Sequence, residues 1–161
     1  MIVSLRTKPG SGRLTSHGKQ LVAASMYSKG RGFLGASALL HQTKGYDYVV
    51  LHLFCQGTEI LLKALLLQRN YDQYQPKLRA FGHNIELLAG AASLEFGLKQ
   101  PSGALREELV ALSSLYSGHR LRYGTFYDVL VDPTTIPCSR VARRLLAAMR
   151  LTARHASRTA A

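Results

Sequence analysis

The sequence predicts an all-α protein, an antiparallel bundle of four to five helices. Three observations carry that expectation. Residues 51–68, LHLFCQGTEILLKALLLQ, are apolar almost all round a helical wheel, as befits a helix in the middle of a bundle. Apolar residues then recur at steps of three and four in three later stretches, marked by Ile85, Leu88, Ala92 and Phe96; by Leu105, Leu109, Leu112 and Tyr116; and by Val141, Leu145 and Met149. No stretch alternates apolar and polar residues well enough for a sheet.

The elements follow in order. Residues 1–14 contain Pro9, Gly10 and Gly12 and read as a flexible arm. Thr15 to Gln42 is helical in pattern, with Gly30, Gly32 and Gly35 weakening its middle, so one bent helix or two are expected. Lys44-Gly45 is a stop, because a glycine just past a helix readily takes the left-handed cap. Tyr46 to Asn70 is the clearest long helix. Val49, Val50, Leu53, Gly57, Ile60, Leu61, Ala64 and Gln68 form one face, broadened by Phe54, Leu62, Leu65 and Leu66. YDQYQPKLRAFG reads as a loop broken by Pro76. A third helix runs from about His83 to Phe96 and stops at Gly97. Ser102 caps a fourth, through about His119. GTFYDVLVDPTTIP is an irregular or extended connection. Ser139 then caps a last helix with Arg140, Arg143, Arg144, Arg150 and Arg154 outside. Residues 15–155 make a single domain, and 156–161 fray.

Composition narrows the partners. The chain has 161 residues with 21 Lys plus Arg against 9 Asp plus Glu, a formal charge of +12. Such an excess calls for a polyanion: nucleic acid, an anionic membrane surface or an acidic protein. There is no signal-peptide pattern and no apolar run of membrane-spanning length, so a cytoplasmic protein without a membrane role is expected. Cys55 and Cys138 read as free thiols, no His/Cys spacing suits zinc, and nothing in the sequence calls for a cofactor.

His52, Gln56, Glu59 and Lys63 cut a thin polar line through the central helix. Glu59 and Lys63 stand in the favourable i to i+4 order for an ion pair. The plain reading is a solvated seam that ties neighbouring helices together; the sharper one is a site.

Three segments resemble the HEPN superfamily of helical, nucleotide- and RNA-associated domains. GTEILLKALLLQ is similar to that family's second long helix, FGHNIELL to the Gly-His-Asp-Leu style opening of the next, and LYSGHRLRYG to an Arg-Tyr-Pro style ending of the fourth. Asn84 stands where an acid is common and Gly124 where the proline would be. The resemblance implies a helical bundle that pairs with a second copy or a related chain. It also implies RNA binding or metal-independent RNA cleavage, often in toxin–antitoxin or anti-phage systems. The cleavage signature it implies is an Arg, a polar residue, and a His after four to six intervening residues.

In the expected region His119 precedes Arg120 and Arg122, the reverse of that order. His119 and Arg120 are the catalytic candidates there, His to move a proton and Arg to hold a phosphate as charge develops. The only literal match, RLTARH, makes Arg150 and His155 the alternative pair. For RNA binding the candidates are Arg120, Arg122 and Tyr123, then Arg140, Arg143 and Arg144 on the last helix, and His83. His83 has a bland alternative as a ring capping free amides at a helix start. His119 and Tyr123, at i and i+4, could equally finish the apolar stripe. Tyr71, Tyr74, Phe126 and Tyr127 could stack on bases or plug bundle ends. The expected function is RNA or nucleotide binding. The alternatives are an endoribonuclease toxin or effector and a helical adaptor for an acidic protein.

Overall fold

The computed structural model describes residues 14–118, 120–121 and 132–159, with positions 151 and 153–159 described by backbone alone. It is an all-α bundle, without a strand among the described residues. Its long helices are α1 (Ser16–Gln42), α2 (Asp47–Arg69), α5 (Ile85–Glu95), α6 (Gly103–Ser117) and α7 (Ser139–Thr159). Residues 71–82, expected as a loop, instead form α3 (Tyr71–Tyr74), a 3-10 turn (Gln75–Lys77) and α4 (Leu78–Phe81). Pro76 is accommodated because it falls in the first turn of the 3-10 segment, where its missing N–H has no partner to lose.

α1 is one continuous helix despite its three glycines. The reason is their placement. A Cβ on Gly30 would come within 2.8 Å of the Leu61 backbone nitrogen, and one on Gly57 within 2.9 Å of that of Leu34, so α1 and α2 cross backbone on backbone at these two residues. Nothing lies within 4 Å of Gly32 or Gly35. Above the crossing, the Ser37 hydroxyl donates to the Val50 carbonyl at 2.8 Å; below it, Lys19 pairs with Asp72 at 2.6 Å. The pairing is therefore antiparallel. At the turn the left-handed residue is Lys44 (φ 56°), not Gly45. Gly45 serves the same turn differently: its amide donates to Leu40 O at 2.8 Å, where a Cβ would run into the Leu40 side chain.

α2 is the bundle's centre, covered by α1 on one side and by α5 and α6 on the other. Leu51, Cys55, Leu61, Leu62, Leu66, Ile85, Leu88, Leu109, Leu112, Tyr116, Val141 and Leu145 share one core. The inward strip of α2 is rotated from the expected one: Val49 is 43% exposed and Gln68 is exposed, while Cys55, Thr58 and Glu59 are buried. α2 is also the one described helix long and apolar enough to cross a membrane, and 56% of that stretch is buried in the bundle.

α5 begins beside the middle of α2 and ends beside its C-terminus, with Glu59 facing His83 and Arg69 facing Glu95 and Phe96. The two helices therefore run the same way, because residues 70–82 climb back between them. Asn84, not His83, caps α5: its Oδ1 accepts from Leu87 N at 2.9 Å. Phe96, expected inward, is 38% exposed beneath Arg69. Ser102 occupies the cap position of α6 without a side-chain cap bond, and the helix ends at Ser117.

α7 starts at Ser139, but the side chain that caps it comes from another helix. Glu108 of α6 is 1% exposed, and its Oε2 accepts from the amides of Arg140 (2.8 Å) and Val141 (3.1 Å). Its Oε1 accepts from Arg140 Nη1 at 3.0 Å. A buried carboxylate at a helix N-terminus satisfies two otherwise orphaned donors and complements the helix dipole. Farther along, Tyr27 of α1 and Thr152 share a hydrogen bond of 2.8 Å between their hydroxyls. The helix continues to Thr159, past the expected fraying point.

Candidate functional site

The polar line of α2 does not face water. Glu59 lies inside, its side chain 9% exposed, with three donors converging on it. Lys63 Nζ, one turn on, meets Oε1 at 2.5 Å, and His83 Nδ1 lies 3.0 Å from Oε2. The Tyr116 hydroxyl of α6 supplies a third hydrogen bond. Burial by itself would raise the Glu59 carboxyl's pKa. The bonds from Lys63 and His83, the Lys63 charge and the Tyr116 bond outweigh burial and hold it below its ordinary value. The solvated seam is thus a buried ion cluster.

The Gly-His-Asn turn between α4 and α5 is built round that cluster. Gly82 takes φ 54°, a backbone conformation glycine adopts without Cβ strain. Its carbonyl accepts a 2.7 Å bond from Lys63 Nζ, which fixes the turn on α2. His83 then drops onto Glu59 and meets the Tyr116 ring edge-on at 5.3 Å. Asn84 caps α5, while Ser113 Oγ of α6 accepts from Glu86 N at 2.8 Å. His52, one more member of the line, tilts against the Tyr116 ring at 5.9 Å. Glu59, Lys63, His83 and Tyr116 therefore join α2, the turn and α6 at one point. The His83 side chain remains 35% exposed, so the cluster has one face to solvent.

Tyr116 also locates the end of the bundle where the Arg-rich 119–123 segment begins. Arg120 is described, its side chain beside Gly118 just past α6. His119, Arg122 and Tyr123, like Phe126 and Tyr127, lie outside the described residues. Sequence position brings Arg120 and His83 to the same bundle end, since His83 touches the last turn of α6.

The arginines of α7 lie elsewhere and differ from one another. Arg140 is engaged by Glu108. Arg144 Nη2 donates to Lys99 O at 3.2 Å, near the start of α6. Arg143 and Arg150 are exposed, and their spacing of seven puts them on one outward strip about 10 Å apart. Of the alternative pair, Arg150 is described and the His155 side chain lies outside the described residues. Tyr71 packs partly against the core, and Tyr74 is buried with its hydroxyl on Glu95 at 2.6 Å; that bond and burial push its pKa up to about 12. Tyr74 is therefore a packing residue and not an open stacking surface.

Cys55 and Cys138 are both free. Burial pushes both thiols upward, so neither is primed as a nucleophile. Among the described residues no three His, Cys, Asp or Glu side chains group closely enough to hold a metal ion.

No protein-family model matches the chain, and no curated protein or solved structure is significantly similar to it. The site is therefore judged on its own chemistry. Sequence reasoning paired Glu59 with Lys63, as found, but missed that His83 joins them, and it missed Tyr116 and Glu108 as polar partners. The available signal was an acid on a helix otherwise too apolar to face water.

Proposed function

We propose that this chain is a HEPN-like RNA- or nucleotide-binding protein of the cytoplasm, acting as a homodimer or beside a related helical chain, in a toxin–antitoxin or anti-phage setting. The observation that carries the binding reading is the outer face of α7. Arg143 and Arg150 stand exposed on one strip, and residues 133–161 contain no Asp or Glu to neutralise them. A row of guanidiniums at helical spacing suits a phosphate chain, and binding to it releases counterions. Arg120, just past α6, is a further basic residue of this reading.

Fluorescence anisotropy with a labelled single-stranded RNA of 20 nucleotides, titrated at several salt concentrations, tests this reading. Replacing Arg143 and Arg150 by Ala should weaken binding and flatten the salt slope by about 1.4, at about 0.7 per lost phosphate contact on a single strand. A second pair, Arg120→Ala with Arg122→Ala, reads the contribution of the other end. Unchanged affinity and slope in both pairs would remove the RNA reading and leave an acidic protein partner, detectable by pull-down.

The second reading is a metal-independent endoribonuclease. A partly exposed imidazole held by a buried carboxylate favours it, since a carboxylate on one ring nitrogen orients the ring for proton transfer. RNA cleavage in EDTA that disappears in His83→Gln, with binding retained, would establish it.

A further inference from the structure

A pocket of about 510 Å³ lies between α2, α5, α6 and α7. Its walls include Leu62, Leu65, Leu109 and Leu145, and Arg69 and Arg144 also line it. We infer that this pocket binds a single-chain amphipathic anion, an apolar body of about ten carbons carrying one carboxylate. The inference stands apart from the RNA reading, which uses the outer face of α7.

Close-packed interiors contain few voids larger than a water molecule, whereas small-molecule sites run from about 300 to 1,000 Å³. This space is of the second kind. Beside it α7 is fixed by side-chain hydrogen bonds towards both of its ends. One is the Glu108 carboxylate on the amides of Arg140 and Val141; the other is the Tyr27–Thr152 hydroxyl pair. Between those anchors Leu145 and Ala148 face the pocket.

The charges say what the occupant's head must be. Both arginines belong to the corner between α5 and α6: the Arg69 guanidinium lies 5.9 Å from the Phe96 ring, and Arg144 donates to Lys99 O three residues on. Arg69 is only loosely matched by Glu95, 3.9 Å away, whose other oxygen is taken by Tyr74. Arg144 forms no ion pair with a described residue. An apolar cavity with two incompletely matched guanidiniums at one corner complements a carboxylate with an apolar tail. The volume suits one such tail.

Isothermal titration of the intact protein with decanoate, kept below its micellar range, tests the assignment, with decanol as the uncharged comparison. One saturable decanoate site per chain is expected. Arg144→Gln should weaken decanoate about tenfold and decanol less than threefold, because it removes a charged hydrogen bond and leaves the walls intact. Ala148→Phe should fill the space and abolish both. If that variant loses its helical circular dichroism, Ala89→Leu on the opposite wall carries the same expectation. No saturable decanoate binding by the parent chain overturns the proposal. So does binding that survives a folded pocket-filling variant, or equal weakening of acid and alcohol by Arg144→Gln.

Discussion

Glu59 shows how one residue sets the terms for several others. A carboxylate in the core is costly alone, but Lys63, His83 and Tyr116 supply hydrogen bonds and a compensating charge. Replacing it by Gln keeps the shape and removes the charge, leaving the Lys63 ammonium mostly buried without its counter-ion. The expected loss is about 3 kcal/mol, read from urea unfolding, since breaking a buried pair costs several kcal/mol. The pH dependence has a definite sign. The Glu59 carboxyl is held below its ordinary 4.5 in the folded state, so the folded protein binds fewer protons there than the unfolded chain. That contribution is complete above about pH 4.5 and is lost as pH falls through the lower folded value. In Glu59→Gln this part of the acid limb should vanish, and a parent-like acid limb would contradict the account. The residue's burial was not legible in sequence because hydropathy assigns Glu and Lys to water. Only the placement of Gly82-His83 opposite them, some twenty residues away, shows that their partners are internal.

Among the elements, the α1–α2 hairpin gives the sharpest contrast. Gly30 and Gly32 look alike in sequence, two glycines weakening one helix. In the fold Gly30 touches the α2 backbone and Gly32 touches nothing within 4 Å. Gly32→Ala should therefore stabilise the protein by about 0.5–1 kcal/mol through helix propensity. Gly30→Ala gains the same propensity but must push two helices apart, and should be destabilising by about 1–3 kcal/mol. Thermal unfolding of the two variants settles it; shifts of the same sign would mean the helices do not meet on glycine. Helical periodicity made every long helix legible, and capping residues placed most ends within two or three positions. The short turns at 71–82 were missed because Pro76 marks a break in a long helix without forbidding a one-turn helix on either side. The cap of α7 was missed for another reason: Glu108 lies 32 residues from Arg140, so no local pattern joins them.

For the molecule as a whole, α7 lies at the edge of the bundle, hydrogen-bonded to α6 at one end and to α1 farther along, with a pocket beneath it. α2, covered from several sides, should exchange its amide hydrogens only with global unfolding, whereas α7 should open as a unit at lower free energy. Hydrogen exchange read by mass spectrometry distinguishes the two, and Glu108→Gln should accelerate α7 while leaving α2 close to the parent rate. Equal protection of both helices would show that the anchors understate the packing of α7. The outward arginines and the pocket-facing residues occupy opposite sides of this one helix, so a change in its docking alters both surfaces together.

The Tyr27–Thr152 bond joins residues 125 apart in the chain, and it has a temporal consequence. During synthesis α1 and α2 can pair as soon as their hairpin leaves the ribosome, since both partners are then present. α7 emerges after every helix on which it docks, and its two anchors wait for Arg140, Val141 and Thr152 to be made. At about 5–20 residues per second, the bundle waits about 6–25 s between the appearance of Tyr27 and that of Thr152. Through that interval the core strip of α2 that α7 will cover stays open to water or to a chaperone. The outer face of α7 is thus the last of the long-helix surfaces to take its final position.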